Sequence, residues 1–307
     1  MTEKRALENV LGIQIITYNR SACLNNTLRQ LHQSPFAKCH ISVLDDFSSD
    51  ETPEIAAKYA YKFPSYRVIR HQRNIGRDYN FLRARELSTS FYTWIVCDDD
   101  NFDFSHAQDV IEAIETCAFD MLYVASRSVL GWNGYGETRV SRLIRDKTKY
   151  HRACTFWPSL IFRTEWFTTY CLAPAPYLFP SFRFINNSMT YDFWIYVSKY
   201  PLAIRSDRTA IEHSPLSLYR EWVINAGLLP DLEMRRHVIE EWTERGFLRT
   251  LSLWIALDKA NKVDGLVKKI VDMFFAFTPM LRLKLLLLLP LMIIPIPKTL
   301  LIRARES

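Results

Sequence analysis

A chain of 307 residues, 49% of them apolar and 14% aromatic, has enough nonpolar surface to bury a large core, and this excludes a generally disordered polymer. The net charge of +6 is unevenly placed: from Lys262 onward there are eight Lys/Arg against three acids, so almost all of the excess sits in the C-terminal stretch. An enzyme acting on nucleic acid usually spreads its basic surface over the catalytic body. Charge that travels with the most apolar segment points instead to anionic lipid, so a membrane surface is the expected partner and nucleic acid is not.

Taken in chain order, the first two hundred residues alternate short apolar runs with helical patterns. LGIQIIT (11–17) reads as a buried strand, followed by a helix over about 21–33. ISVLDD (41–46) is a second strand, and Asp50-Glu51-Thr52-Pro53 opens a helix with a cap and an early proline. YRVIR (66–70) is a third strand and 77–88 a helix; YTWIVC (92–97) is a fourth, with a helix from about Ser105; DMLYVAS (120–126) is a fifth. This alternation implies a mostly parallel sheet with helices on both faces, in which ligands bind beyond the carboxyl ends of the strands. The polar clusters at 17–20, 45–50 and 98–101 fall at those ends. Residues 132–139 read as a loop, 154–162 as a strand, 173–180 as an irregular connection and 193–199 as a helix. From Asp231 the pattern turns to consecutive helices, at 231–245, 247–260 and 264–277. The expected organisation is a catalytic domain over 1–229 and a helical, membrane-associating region over 230–307.

Six single cysteines without a Cys-x-x-Cys pair fit a reducing compartment, and the polar N-terminus MTEKRALENVLG lacks the apolar segment of a signal peptide. The expected location is cytoplasmic, on the inner face of the cell membrane. Residues 285–297 (LLLLLPLMIIPIP) are uncharged but too short and too broken by proline to span a bilayer, which takes ~20 apolar residues. With the preceding LVKKIVDMFFAF (266–277) they read as an interfacial helix and a plug into one leaflet, so 264–305 is the expected membrane contact. Packing against the catalytic domain or a partner subunit is the other reading.

The chemistry lies in the polar clusters. WIVCDDDNF ends an apolar strand in Asp98, Asp99 and Asp100, three adjacent carboxylates that repel one another unless a cation sits among them. Hard oxygen ligands suit Mg²⁺ or Mn²⁺, which bridge one or two carboxylates to a substrate diphosphate. Read alone, the same stretch also fits an acidic strand-to-helix turn capped near Asn101. In VLDDFSSDET, Asp50 reads as a helix cap, whereas Asp46 is placed to accept a nucleobase N–H. In RNIGRDYNFLR, Gly76 permits a tight turn, and Arg77 and Arg83 are candidates to face phosphate.

Together ITYNR (residues 16–20 with the preceding strand), VLDDFSSDET (43–52), NIG (74–76) and CDDDNF (97–102) resemble the inverting glycosyltransferases of family 2, which have the GT-A fold. The resemblance covers about residues 11–215. It implies an α/β, GT-A-like (Rossmann-like) sheet flanked by helices, with the C-terminal helical extension added. It also implies a nucleotide half before the Asp cluster and an acceptor half after it. Thr17, Tyr18 and Asp46, with Asn19 beside them, would contact base and ribose. Asp98 and Asp99 would lie at the nucleotide, and Asp100 with Asp98 would hold the metal. His213 would complete the metal site or touch the diphosphate, a lone histidine being as often structural. Asp192 in MTYDFWIYVSKY would be the base that takes the acceptor hydroxyl's proton, with Glu165 in reserve; capping a helix over 193–199 is its alternative role. Where many relatives place Ala-Arg-Asn after the NxG turn, this chain has Tyr79-Asn80-Phe81-Leu82-Arg83. Trp132 and Trp157 are candidate acceptor platforms, although loop or core packing accounts for them more simply.

The expected activity is thus inverting sugar transfer from a nucleoside-diphosphate sugar to a lipid-linked or other saccharide acceptor, in making surface polysaccharide or glycoconjugate. A decayed, transferase-like membrane adaptor and a nucleotidyltransferase are the competing readings. The latter lacks a Gly-rich triphosphate loop near the first strand.

Overall fold

The computed structural model describes residues 4–124, 136–146, 149–166, 180–204, 225–226 and 228–242. His213, Trp132, the helices expected over 247–260 and 264–277 and the apolar run 285–297 lie outside the described residues. Packing divides the chain into two units, Met1–Pro174 with Arg183–Ser206, and Ala175–Phe182 with Asp207–Ser307. The boundary expected near 229 falls inside the second unit.

The first unit is built on an eight-stranded mixed sheet. A one-turn helix α1 (Leu7–Val10) leads into β1 (Leu11–Thr17), every residue of which is buried. Helix α2 (Ser21–His32) follows, burying Leu24, Thr27, Leu28 and Leu31, the i, i+3, i+4, i+7 stripe of a core-facing helix. Then come β2 (His40–Asp45), α3 (Thr52–Lys58), β3 (Tyr66–Arg70), α4 (Arg77–Glu86) and β4 (Tyr92–Cys97). The short β5 (Asn101–Phe102), α5 (Ala107–Glu115), β6 (Met121–Tyr123), β7 (Gly136–Arg139), α6 (Val140–Arg145) and α7 (Tyr150–Ala153) follow in turn. The unit is completed by β8 (Leu160–Arg163), α8 (Pro180–Thr190), β9 (Trp194–Val197) and β10 (Ala203–Ile204).

The strand order is β3-β2-β1-β4-β8-β6-β9-β7. The first four strands are parallel; β8 runs antiparallel to β4 and β6; β9 is again parallel to β6, and β7 is antiparallel to β9. From β1 the chain winds outward to β2 and β3, then returns to place β4 on the other side of β1. The reversal opens a crevice beyond the carboxyl ends of β1 and β4, where open α/β sheets bind ligands. Beneath it, Trp94 is fully buried against Phe36 at 5.5 Å and donates its indole N–H to the Pro158 carbonyl at 2.9 Å, so a large apolar ring is buried with its one polar atom satisfied.

Three sequence expectations are corrected. Of residues 154–162, read as one strand, only those from Leu160 onward lie in β8, and Trp157–Ser159 form a 3-10 turn ahead of it. Residues 193–199, read as a helix, contain strand β9, whose residues alternate half-buried and buried between β6 and β7. The 132–139 stretch, read as a loop, ends in β7, which takes its register from β9. In the second unit, α9 (Leu232–Trp242) starts after Pro230, with the Asp231 carboxylate accepting the Met234 N–H at 2.8 Å. No described helix is long and apolar enough to cross a membrane.

Candidate active site

The crevice is closed by hydrogen bonds that join loops far apart in sequence. Thr17, the last residue of β1, donates its hydroxyl to Asp98 Oδ2 at 2.6 Å. Arg20 reaches the same turn from the start of α2, with Nη1 2.7 Å from Asp99 Oδ2 and 3.4 Å from Asp98 Oδ1. From within α2, Thr27 donates to the Asp98 carbonyl at 2.8 Å and Gln30 to the Asp100 carbonyl at 3.4 Å, while Gln30 Oε1 accepts the Phe102 N–H at 3.0 Å. The turn folds back on itself where Asp100 Oδ2 accepts the Cys97 N–H at 2.8 Å.

Electrostatically this turn is under load. Burial pushes Asp98 up to about 6, against the opposing pull of the Thr17 hydroxyl and the Arg20 guanidinium. Asp100 is raised well above the usual carboxylate range by burial, and its Asp99 and Asp98 neighbours add to this. Burial and the same three acids raise the Cys97 thiol. Buried carboxylates that resist ionisation, supplied as hard oxygen donors on one turn, fit a divalent cation held by one or two of them and completed by a ligand's oxygens. Among the described residues no three metal-binding side chains are preassembled into a closed cage.

The second loop is bound to the first. Asn19, at φ 49°, donates its N–H to Ser48 Oγ at 2.8 Å and accepts the Ser49 N–H at 2.7 Å. Asp50 bridges two helix starts, accepting the Ser21 N–H and the Thr52 N–H, each at 3.0 Å, so the cap reading matches its geometry. Asp45 is fully buried; it accepts the Ser48 N–H at 3.0 Å and lies 3.3 Å from Arg70 Nε. Asp46 anchors the third loop, accepting the Ile75 N–H at 2.8 Å and the Gly76 N–H at 2.9 Å. Gly76 has φ +85° and ψ 153°, a conformation essentially restricted to glycine, which is why the turn needs it.

The remaining candidates divide. Tyr18 is exposed at the crevice rim. Arg77, the first residue of α4, has its guanidinium 5.5 Å from the Trp157 ring and pairs with Asp78 at 3.0 Å. Trp157 is buried against Phe81, with ring centroids 4.0 Å apart, so it packs in the core. Arg83 lies on the solvated side of α4, paired with Glu86 at 2.7 Å. Sequence reasoning placed Arg20, Thr27 and Gln30 in no role, because their function depends on α2 lying against the Asp turn.

Asp192 is not brought to the cluster. Thr93 shares a level across the sheet with Phe162, Met121 and Ile195, and β9 runs in the direction of β4. Asp98 lies five residues beyond that level and Asp192 three residues before it, so roughly 25 Å of strand separates them at ~3.3 Å per residue. Asp192 instead sits at φ 49° with Oδ1 accepting the Ser141 N–H at 2.7 Å, which caps the first turn of α6. Glu165 follows β8 on that same opposite rim, where it is exposed and pairs with Arg163 at 3.5 Å. The register between strands therefore removes both residues named as proton acceptors from the crevice.

The strand order, the crevice at the reversal and the acidic turn within it define a GT-A glycosyltransferase fold. Residues 13–174, more than half of the chain, match Glycosyl transferase family 2, and the chain belongs to that family. No curated protein matches it in sequence. Among solved structures it is similar to residues 1–349 of Staphylococcus aureus TarS in complex with UDP-GlcNAc, with 16% identity and a TM-score of 0.67 over 97% of this chain and 91% of that one. The UDP complex of the same protein gives 17%, 0.67, 97% and 90%. The mannosyltransferase PcManGT from Pyrobaculum calidifontis, in complex with GDP-Man and Mn²⁺, is similar at 12% identity and a TM-score of 0.58 over 96% of this chain and 86% of that one.

Proposed function

We propose that this chain is an inverting, metal-dependent transferase that moves a hexosyl or deoxyhexosyl group from a nucleoside-diphosphate sugar to a lipid-linked saccharide at the cytoplasmic face of the membrane. The observation that carries the reading is the buried Asp98–Asp100 turn, hydrogen-bonded to Thr17 at the reversal point of a family 2 fold. The bound UDP-GlcNAc and GDP-Man of its structural neighbours support a nucleoside-diphosphate sugar as donor.

Asp100 and Asp98 would hold Mg²⁺ or Mn²⁺, which when bound offsets the negative charge that develops on the leaving diphosphate. Thr17 fixes the direction of the Asp98 carboxylate. Arg20 supplies positive charge beside the same turn and is placed to meet a phosphate oxygen. Asp46 holds the Ile75–Gly76 turn, shaping the wall where Tyr18 and Asn19 would face base and ribose. The basic, apolar stretch 264–305 supports a membrane-borne acceptor.

The test is nucleotide binding with its metal dependence. UDP and GDP should raise the melting temperature in the presence of Mn²⁺ and much less in EDTA, because a ligand stabilises the fold according to its occupancy. Asp100→Ala should keep the fold and lose both the Mn²⁺-dependent shift and nearly all donor turnover. Full activity in EDTA, or in that variant, would remove the metal from the mechanism.

A further inference from the structure

The chain leaves β2 through Asp46, Phe47 and Ser48, and the middle residue is out of character for its position. Phe47 has φ 65°, a left-handed conformation that glycine or asparagine adopts far more readily than an aromatic residue. The residue is 47% exposed, so core packing does not account for the strain. Backbone strain of this kind concentrates where a side chain is needed at a ligand.

The ring is also held in place. The Arg70 guanidinium lies 5.3 Å from its centroid. That guanidinium is itself fixed, with Nε 3.3 Å from Asp45 Oδ2 and Nη2 donating to the Ser48 carbonyl at 2.7 Å. A phenyl ring backed by an anchored cation and half open to solvent is a flat, pre-positioned apolar face. It is adjacent in the chain to Asp46, at the carboxyl end of β2 beside the crevice.

We propose that Phe47, backed by Arg70, is a stacking platform for the nucleobase of the donor, and that it contributes to nucleoside rather than to phosphate recognition. This rests on the reading of the crevice as a nucleoside-diphosphate-sugar site. An aromatic face stacks on a base through dispersion and π contact without reading its edge, so the platform adds affinity for any base and leaves discrimination among bases to polar neighbours.

Phe47→Gly provides the test, because glycine accepts the backbone conformation and the variant should fold. Without nucleotide its melting temperature should equal or exceed that of the wild-type chain, since the strain is relieved. Binding of UDP and GDP with Mn²⁺, measured by titration calorimetry, should weaken by ~5- to 100-fold. Binding of inorganic pyrophosphate with Mn²⁺, which has no base, should not change, and Phe47→Trp should restore nucleotide affinity. Nucleotide affinity equal to wild type in Phe47→Gly overturns the platform and leaves the transferase reading intact. An equal loss for pyrophosphate and nucleotide also overturns it, because Phe47 then acts only by shaping the turn. A wild-type chain that binds none of UDP, GDP, dTDP, CDP and ADP with Mn²⁺ removes the transferase reading, and the platform with it.

Discussion

Arg20 and Asp192 show how a single side chain's role is set by what folds against it. The Arg20 guanidinium lies 2.7 Å from Asp99 in a turn whose other two acids are raised by burial. Arg20→Gln should destabilise the metal-free protein by about 1–2 kcal/mol, the range of a charge-assisted bond in a partly exposed setting. It should also enlarge the melting shift given by Mn²⁺ alone, since the cation then meets less competing charge. An unchanged Mn²⁺ shift would say that Arg20 and the metal act independently. Asp192 holds the first turn of α6 through the Ser141 N–H. Asp192→Ala should cost ~0.5–2 kcal/mol as a lost cap, with nucleotide affinity unaltered. Asp192→Asn, which keeps an acceptor oxygen, should lose less stability. If Asp192→Asn instead melts normally and turns over ~10²-fold more slowly, the residue takes the acceptor proton and its cap role is secondary.

Elements differ in how openly the sequence declares them. β1, β3 and β4 begin and end where their apolar runs do, because each is bounded by polar turn residues and buried along its length or packed in a parallel ladder. The Asp turn was legible because its three carboxylates are consecutive. Its links to Thr17, 81 residues away, and to Thr27 and Gln30 were not, since they depend on which strands become neighbours. β9 was misread because FWIYVSKY suits either period when taken alone; pairing on both sides with β6 and β7 settles it. That error carried the base with it, as a residue at a strand's amino end lies on the rim away from the crevice. The NIG turn makes a sharper prediction. Gly76→Ala forces a side chain into a backbone conformation that costs on the order of 1–3 kcal/mol, and it misdirects the two N–H groups that Asp46 accepts. Both melting temperature and nucleotide affinity should fall. A loss of stability alone would mean that the turn supports the fold but not the ligand.

At the scale of the whole molecule, the catalytic body and the basic, apolar C-terminal stretch are expected to divide nucleotide binding from membrane contact. Truncation at about Lys262 removes most of the net positive charge and the longest apolar run. The shortened chain should still bind nucleotide but fail to float with liposomes containing anionic lipid, whereas the full chain floats and is partly released by raised salt. Equal flotation of both chains would assign membrane contact to the body; absence of flotation in the full chain would make the stretch an assembly element.

The insertion of β8 between β4 and β6 has a consequence for how the protein is made. The ribosome completes β4 at Cys97, but the strand that covers its outer edge ends at Arg163. At ~5–20 residues per second this leaves the Tyr92–Trp94 edge open on the nascent chain for roughly 3–13 s. β6, although synthesised first, is not its neighbour in the sheet. An apolar edge exposed for that long invites strand pairing between chains. Ribosome-stalled chains ending before residue 160 should therefore engage holdase chaperones, and those extended past the point where β8 clears the exit tunnel should let go.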